Sequence, residues 1–217
     1  MLEAVVGSTI QQISILVLPI LLAVTFHEVA HGWVADRLGD PTPRLAGRLT
    51  FNPIKHLDLV GTLVFFFTRM IGWAKPVPIN PLNFKDPRRD MMWVALAGPV
   101  TNVLLAGVFA ITFRSLHQLS FSPSPLFLKV FIPVLLMLKV GVVINIGLAV
   151  FNIIPIPPLD GGRVLIGLLP PAKAEAFAKI EPYGFLILIF LIIARAVEFF
   201  VFPIIRFGVQ IFLGTNI

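Results

Sequence analysis

The chain contains no cysteine among its 217 residues. This absence excludes disulfide bonds, cysteine nucleophiles and zinc sites built from thiolates. Charged residues are also scarce, at 13% of the chain, whereas a soluble domain of this size carries about a quarter. Hydrophobic residues make up 57% in their place. Composition therefore predicts a polytopic membrane protein in which one domain, residues 1–217, uses nearly the whole chain.

The basic residues give a net charge of +6, but they form no stripe interleaved with aromatic side chains. They are spread over several short loops between apolar blocks. Such a distribution is typical of charges that set membrane topology, and it argues against nucleic-acid binding. The lipid bilayer is therefore the first predicted partner, and the predicted location is the cell membrane, with several passes.

Four apolar blocks are long enough to cross a bilayer as helices. They are separated by loops rich in proline, glycine or charge, which end helices. A short stretch at 171–181 has the pattern of an amphipathic helix on the membrane surface. We therefore predict an all-α fold with about four full transmembrane helices, at residues 10–38, 91–113, 127–151 and 185–213.

Residues 56–73 form a further apolar stretch that is short for a crossing. Basic residues lie on both sides of it, and the positive-inside rule puts both groups in the cytoplasm only if this stretch does not cross. We therefore predict a re-entrant segment packed against protein, where irregular backbone is tolerated at membrane depth. It would belong to a re-entrant or short β region around 44–80, with candidate strands at 48–51 and 77–80. A complete extra crossing is the alternative, and hydropathy alone favours it.

The first apolar block contains the pattern H-E-x-x-H at residues 27–31. On a helix, His27 and His31 lie on one face, so both can bind one metal ion. Glu28 is the next residue round from His27, close enough to act as a base beside that metal. His31 lies roughly 10 Å before the cytoplasmic end of the predicted helix. The candidate site is therefore inside the apolar layer but nearer the cytoplasmic face.

A hydrolytic zinc site needs a third protein ligand, drawn from histidine and carboxylates. The chain has only six aspartates and five glutamates, and most lie at loop edges or on the surface helix. Asp58, Asp160 and Glu198 remain as candidates. Asp160 stands out because a break with three prolines and two glycines, at 152–162, holds it at the end of an apolar helix. A carboxylate at that depth is costly unless it is paired or bound to a metal.

Two motifs occur together in apolar context: H-E-x-x-H at 27–31 and N-x-x-P followed by L-D-G at 152–161. In this order they resemble the site-2 protease family of intramembrane zinc metalloproteases. The stretches L-A-G-P-V-T-N at 96–102 and G-W-A-K-P-V-P at 72–78 extend the resemblance over most of the chain. No PDZ or CBS-like region is visible, so the chain resembles a compact prokaryotic member.

The resemblance implies one Zn²⁺ ion held by His27, His31 and Asp160, with Glu28 as general base. It further implies that Asn152 contacts the substrate or its oxyanion; a helix-terminal cap is the alternative role for this asparagine. The implied activity is regulated intramembrane proteolysis, the hydrolysis of peptide bonds in or near a transmembrane segment of a membrane-protein substrate.

Two other functions are compatible with the same residues. One is a membrane zinc hydrolase that acts on a non-peptide bond. The other is a zinc-binding transporter or scaffold without enzyme activity. A transporter is expected to carry further histidines or carboxylates along a path, and this sequence has few of either. The sequence carries no signal for an oligomeric state.

Overall fold

The computed structural model describes residues 9–68, 73–118 and 125–214. Within these ranges the chain is helical and contains no strand, apart from one isolated antiparallel bridge between Leu57 and Ala74. The helices are α1 (Thr9–Arg37), α2 (Thr42–Leu45), α3 (Leu59–Thr68), α4 (Pro87–His117), α5 (Pro125–Asn152), α6 (Asp160–Leu168), α7 (Pro171–Ala178), α8 (Gly184–Ile193) and α9 (Ala196–Leu213).

Helices α1, α4 and α5 pack against one another and form the centre of the molecule. Helix α4 starts where proline occupies its first turn and the Asp86 side chain accepts a hydrogen bond from the Arg89 backbone N–H. Helix α9 packs against α5 and α4. Their shared core combines small and branched side chains, which lets helices approach closely: Ala106, Ala110, Val142, Ile146, Val209 and Leu213.

Most apolar side chains of the long helices face outward. Within the described residues, five helical stretches are long and apolar enough to cross a membrane, and between 11% and 39% of an apolar 18-residue window in each is buried inside the protein. Surfaces this apolar are incompatible with water but suit the hydrocarbon of a bilayer. The fold is therefore that of an all-α polytopic membrane protein.

The candidate spans differ from the expected four at the C-terminal end. The first three, Ile13–Arg37, Pro87–His117 and Leu128–Asn152, coincide with three expected blocks. The expected helix over 185–213 is broken instead, because Arg195 adopts a left-handed backbone conformation with φ of 56°. This break separates two further candidate spans, Pro171–Ile193 and Ala196–Leu213. No glycine or proline marks it in the sequence, so a pattern of helix breakers could not predict it.

The expected surface helix at 171–181 corresponds to α7, which ends at Ala178 and is followed by a 3₁₀ turn at Glu181–Tyr183. That turn leads directly into α8. The candidate span Pro171–Ile193 thus includes α7, the turn and α8.

The two ends of the predicted re-entrant region lie side by side. The Lys75 backbone N–H donates to the His56 carbonyl at 2.9 Å, next to the Leu57–Ala74 bridge. The Arg48 guanidinium donates to the Lys75 carbonyl at 2.5 Å. Helix α3 lies between these ends, and its described part is Leu59–Thr68.

The strands expected at 48–51 and 77–80 are not formed within the described residues, where the bridge is the only β pairing. Residues 69–72 of the predicted re-entrant stretch lie outside the described part of the chain.

Asp40 joins the end of α1 to the segment that precedes α4. Its carboxylate is fully buried and accepts hydrogen bonds from the Thr42 backbone N–H at 3.1 Å and the Thr42 hydroxyl at 2.5 Å. It also accepts from the Asn80 N–H at 2.8 Å and the Asn83 amide at 2.7 Å. Burial opposes ionisation, but these donors outweigh it and hold the pKa of Asp40 below its ordinary value. The contact fixes residues 76–80 alongside α1.

We expect Asp40→Asn to lower the free energy of unfolding by about 2–4 kcal/mol, because an amide NH₂ would face donors that now meet a carboxylate. Thermal unfolding in detergent measures the change, with the exposed Glu175→Gln as control. Since the folded pKa is lowered, the stabilisation is present above the unfolded pKa of about 3.9 and is lost as the pH falls through the folded pKa. The gap between wild type and variant should therefore narrow below about pH 4; a gap independent of pH contradicts this account.

Candidate metal centre

His27 and His31 lie on one face of α1, one turn apart, and both are buried. Their imidazole rings meet edge to face, with centroids 4.6 Å apart. The two Nε2 atoms are separated by 3.0 Å. The helical spacing read from the sequence thus brings both histidines to one point.

The other ring nitrogen of each histidine has a partner that can only accept a hydrogen bond. His27 Nδ1 lies 2.6 Å from Asn102 Oδ1, and His31 Nδ1 lies 2.7 Å from the Val94 carbonyl. The Asn102 amide is oriented by its Nδ2 group, which donates to the Ala23 carbonyl at 3.2 Å and to Asn145 Oδ1 at 2.8 Å. Both Nδ1 atoms therefore carry the proton, and both Nε2 atoms present a lone pair to the shared space.

Asp160 reaches the same space from the far side of the bundle. It is the first residue of α6, and its Oδ2 lies 3.2 Å from His27 Nε2 and 3.4 Å from His31 Nε2. Gly161 and Gly162 follow it against the backbone of 153–157, where a Cβ on either residue would overlap backbone atoms. The two glycines therefore allow the start of α6 to pack directly against the turn that precedes it.

The Nε2 atoms of His27 and His31 and the Oδ2 atom of Asp160 thus converge, and each can donate an electron pair. Asp160 Oδ2 is buried and accepts no hydrogen bond in the described part of the chain. An ion pair with Asp160 would require a second proton, on Nε2, in a histidine that already donates through Nδ1, and that imidazole would then be a cation. A cation in the centre satisfies all three atoms. Imidazole nitrogens and carboxylate oxygens bind zinc at about 2.0–2.2 Å, so one ion could reach all three atoms, which lie 3.0–3.4 Å apart.

Glu28 lines the same cavity, which has a volume of about 190 Å³. Its Oε2 accepts a hydrogen bond from the Val77 backbone N–H at 3.0 Å. Val77 is itself buried and belongs to the extended segment that Asp40 fixes beside α1. The candidate base is thus held at the cavity by backbone from the region between α1 and α4.

Asn152, at the end of α5, also lines the cavity. Its Nδ2 donates to the Leu148 carbonyl one turn earlier, at 3.0 Å. One N–H of this amide is therefore used within its own helix, as expected for a helix-terminal role, and the second remains available to a ligand. The other carboxylates considered as ligands are elsewhere: Asp58 caps α3 through the Gly61 N–H, and Glu198 lies on α9.

Sequence reasoning missed two residues that shape the site. Asn102 orients His27 through its Oδ1. Gly98 leaves room for both imidazoles, since a Cβ there would lie 2.5 Å from both His27 Cε1 and His31 Nε2. The available signals were a buried asparagine in an apolar helix and a glycine one turn before it, but neither identifies its partner.

We expect Gly98→Ala to lower zinc affinity by about 10- to 100-fold, because the added methyl group would displace both imidazoles. Zinc content after dialysis against a graded chelator measures the effect. Gly107→Ala, on the same helix, is the matched control, since its Cβ would make an ordinary contact of 3.5 Å with Phe212. Equal zinc retention by both variants would contradict the assignment of this space to a metal.

The family model described as Peptidase family M50 matches residues 129–194. Over 196 residues the chain is 35% identical to a Bacillus subtilis protein named as a zinc metalloprotease, YwhC, and the match covers 89% of this chain and 86% of that protein. A Mycolicibacterium smegmatis protein named as a zinc metalloprotease, Rip2, is 29% identical over 189 residues, which cover 85% of this chain and 69% of the relative. No solved structure matches.

The relatives named as zinc metalloproteases agree with the chemistry of the three converging side chains. Zinc is therefore the metal expected of this protein, and its membrane helices place it among membrane metalloproteases. With 35% identity over nearly the full length of both proteins, the chain belongs to peptidase family M50, the site-2 protease family.

Proposed function

We propose that the protein is an intramembrane zinc metalloprotease that hydrolyses peptide bonds in or near the transmembrane segments of membrane-protein substrates, in regulated intramembrane proteolysis. The observation that carries the proposal is the meeting of His27, His31 and Asp160 in a cavity that Glu28 also lines. This cavity lies among helices suited to a bilayer. The bond that reaches it is thus one presented at membrane depth.

His27, His31 and Asp160 are the proposed zinc ligands. A bound zinc ion supplies Lewis acidity, which activates water and polarises the carbonyl of the scissile bond. The Asn102 and Val94 oxygens hold each imidazole in the tautomer whose Nε2 can bind metal. These contacts also fix both ring planes before a substrate arrives.

Glu28 is the proposed general base. Its carboxylate takes a proton from the attacking water and returns it to the leaving amine, a role that suits a carboxylate beside a metal. The Val77 N–H holds one carboxylate oxygen, which fixes the direction of the other. Asn152 is proposed to donate its remaining amide N–H to the substrate carbonyl, where negative charge develops during attack.

A helical substrate must unwind before its carbonyl carbon can be attacked, because its backbone groups are hydrogen-bonded to one another. The segment 76–80 lies beside Glu28. Pro76 and Pro78 have no N–H, and the N–H groups of Val77 and Asn80 are bonded to Glu28 and Asp40. An unwound substrate can therefore pair here only through the carbonyls and the Ile79 N–H. We further propose that residues 56–73 enter the membrane and return. The adjacent ends of this region support the proposal, and under it the site lies nearer the cytoplasmic face.

We expect Glu28→Gln to retain zinc and to lose about 10²–10⁴-fold in kcat, because the amide cannot accept the proton. Asp160→Asn should instead lose zinc, and Asp58→Asn, which alters a carboxylate outside the cavity, should keep both zinc and activity. Zinc content and cleavage of model transmembrane peptides in detergent or liposomes measure these outcomes. Full zinc occupancy in Asp160→Asn would show that the third ligand is wrong.

The same purified protein, incubated with lipids in place of peptides, tests the rival functions. Turnover of a lipid amide without peptide cleavage would favour a hydrolase of non-peptide bonds. Zinc binding with no Glu28-dependent turnover of either substrate would favour a transporter or scaffold.

The re-entrant topology predicts that both flanks of residues 56–73 face the cytoplasm. Since the chain has no cysteine, a single introduced cysteine reports its own position. We expect Lys55→Cys and Lys85→Cys to react with an impermeant maleimide in inverted vesicles but not in intact cells. Gln118→Cys, beyond α4, should show the opposite pattern and serves as control. Labelling of Lys55→Cys and Lys85→Cys from opposite sides would establish a complete crossing instead.

A further inference from the structure

Arg163 lies in the first turn of α6, three residues after Asp160, and its side chain lines the candidate active-site cavity. Residues three apart on a helix are neighbours on one face, so this guanidinium is directed to the same side of α6 as the proposed ligand. Arg163 is exposed, in contrast to the buried His27 and His31. It therefore stands at the rim of the cavity.

Within the described residues, the charge of Arg163 has no ion-pair partner. Across residues 9–68, 73–118 and 125–214, the carboxylates within ion-pair distance of a basic or histidine side chain are Asp36, Asp86 and Asp160, and none of these contacts includes Arg163. In the cavity, Asp160 faces the histidines and Glu28 accepts from Val77. Neither neutralises Arg163.

The position of Arg163 also opposes the stability of its own helix. The first turn of a helix carries a partial positive charge from unpaired N–H groups, which favours acidic side chains and disfavours basic ones. Arg37, in the last turn of α1, follows this rule, whereas Arg88 and Arg89 of α4 and Lys173 of α7 also lie in first turns. Helix stability therefore does not explain a cation at residue 163.

We infer that Arg163 is a specificity residue that binds an acidic side chain of the substrate close to the scissile bond. This inference rests on the proposed protease function. A guanidinium and a carboxylate form a bidentate pair, and such a pair offsets the cost of a substrate carboxylate at membrane depth. The cavity otherwise contains the carboxylates of Glu28 and Asp160, which would repel an acidic substrate.

Because Arg163 lies at the rim of the cavity, its proposed role in specificity differs from stabilisation of the oxyanion. A group that stabilises the oxyanion must reach the reacting carbonyl beside the proposed zinc ligands, whereas an exposed side chain meets a neighbouring residue of the bound segment. A side-chain contact predicts discrimination between substrates. An oxyanion contact predicts equal loss for every substrate.

The test uses model transmembrane peptides that differ at one residue. Each position flanking the cleavage site is varied in turn, and the residue there is Asp, Asn or Lys. For wild type, we expect Asp at one position to raise kcat/KM by about tenfold over Asn, with Lys the poorest. Arg163→Glu should reverse this order at the same position and favour Lys. Such a reversal requires direct contact between the two charges.

Lys173→Glu is the matched control, because Lys173 is an exposed cation on the adjacent helix α7 that does not line the cavity. It should leave the substrate order unchanged. Arg163→Gln should lose the preference while keeping zinc content and thermal stability, which separates specificity from a structural role.

Absence of a charge preference in wild type overturns the inference, as does an Arg163→Glu variant that loses activity equally on all peptides. If wild type cleaves none of the peptides while it binds zinc, the proposed protease function fails, and this inference fails with it. Peptide cleavage without charge dependence leaves the protease function intact and removes only the role of Arg163.

Discussion

The structure depends on bringing two imidazole lone pairs and one carboxylate oxygen to a single point inside an apolar bundle. These atoms lie 3.0–3.4 Å apart and repel one another unless a cation sits between them. Such an arrangement is stable only if the surrounding helices hold it firmly, because nothing in lipid compensates a displaced charge. Helices α1, α4 and α6 supply that constraint: α1 carries the histidines, α6 carries Asp160, and α4 lies between them with its Gly98 backbone against both rings.

The same constraint explains why polar groups deep in the bundle form a connected chain. Asn102 is fully buried and uses both ends of its amide, with His27 on one side and Ala23 and Asn145 on the other. Asn145 continues the chain to the Gly141 carbonyl. A partly satisfied network at this depth would be more costly than an apolar one. Asn102 thus both joins neighbouring helices and fixes the tautomer of His27, a proposed ligand.

The sequence was sufficient for the all-α membrane class, the family and the residues that meet in the cavity. The membrane class and the histidine pair follow from short-range rules, namely hydropathy over a span and the spacing of His27 and His31. The family and the choice of Asp160 over Asp58 and Glu198 came from two motifs read together as a resemblance. The break at Arg195, the partner of Asn102 and the space left by Gly98 depend on contacts between distant segments. Such contacts leave no periodic trace in one sequence, so local patterns could not predict them.

The segment 76–80 links the stability of the fold to the chemistry of the site. At one end Asn80 is held by Asp40, and three residues earlier the Val77 N–H is held by Glu28. A substrate that pairs with this backbone therefore binds a segment already connected to the proposed base. Movement of the segment would alter the direction of the Glu28 carboxylate, and a fixed Glu28 restrains the segment in turn. The direction of the Glu28 carboxylate and the position of this backbone thus depend on each other, and the buried Asp40 carboxylate anchors both.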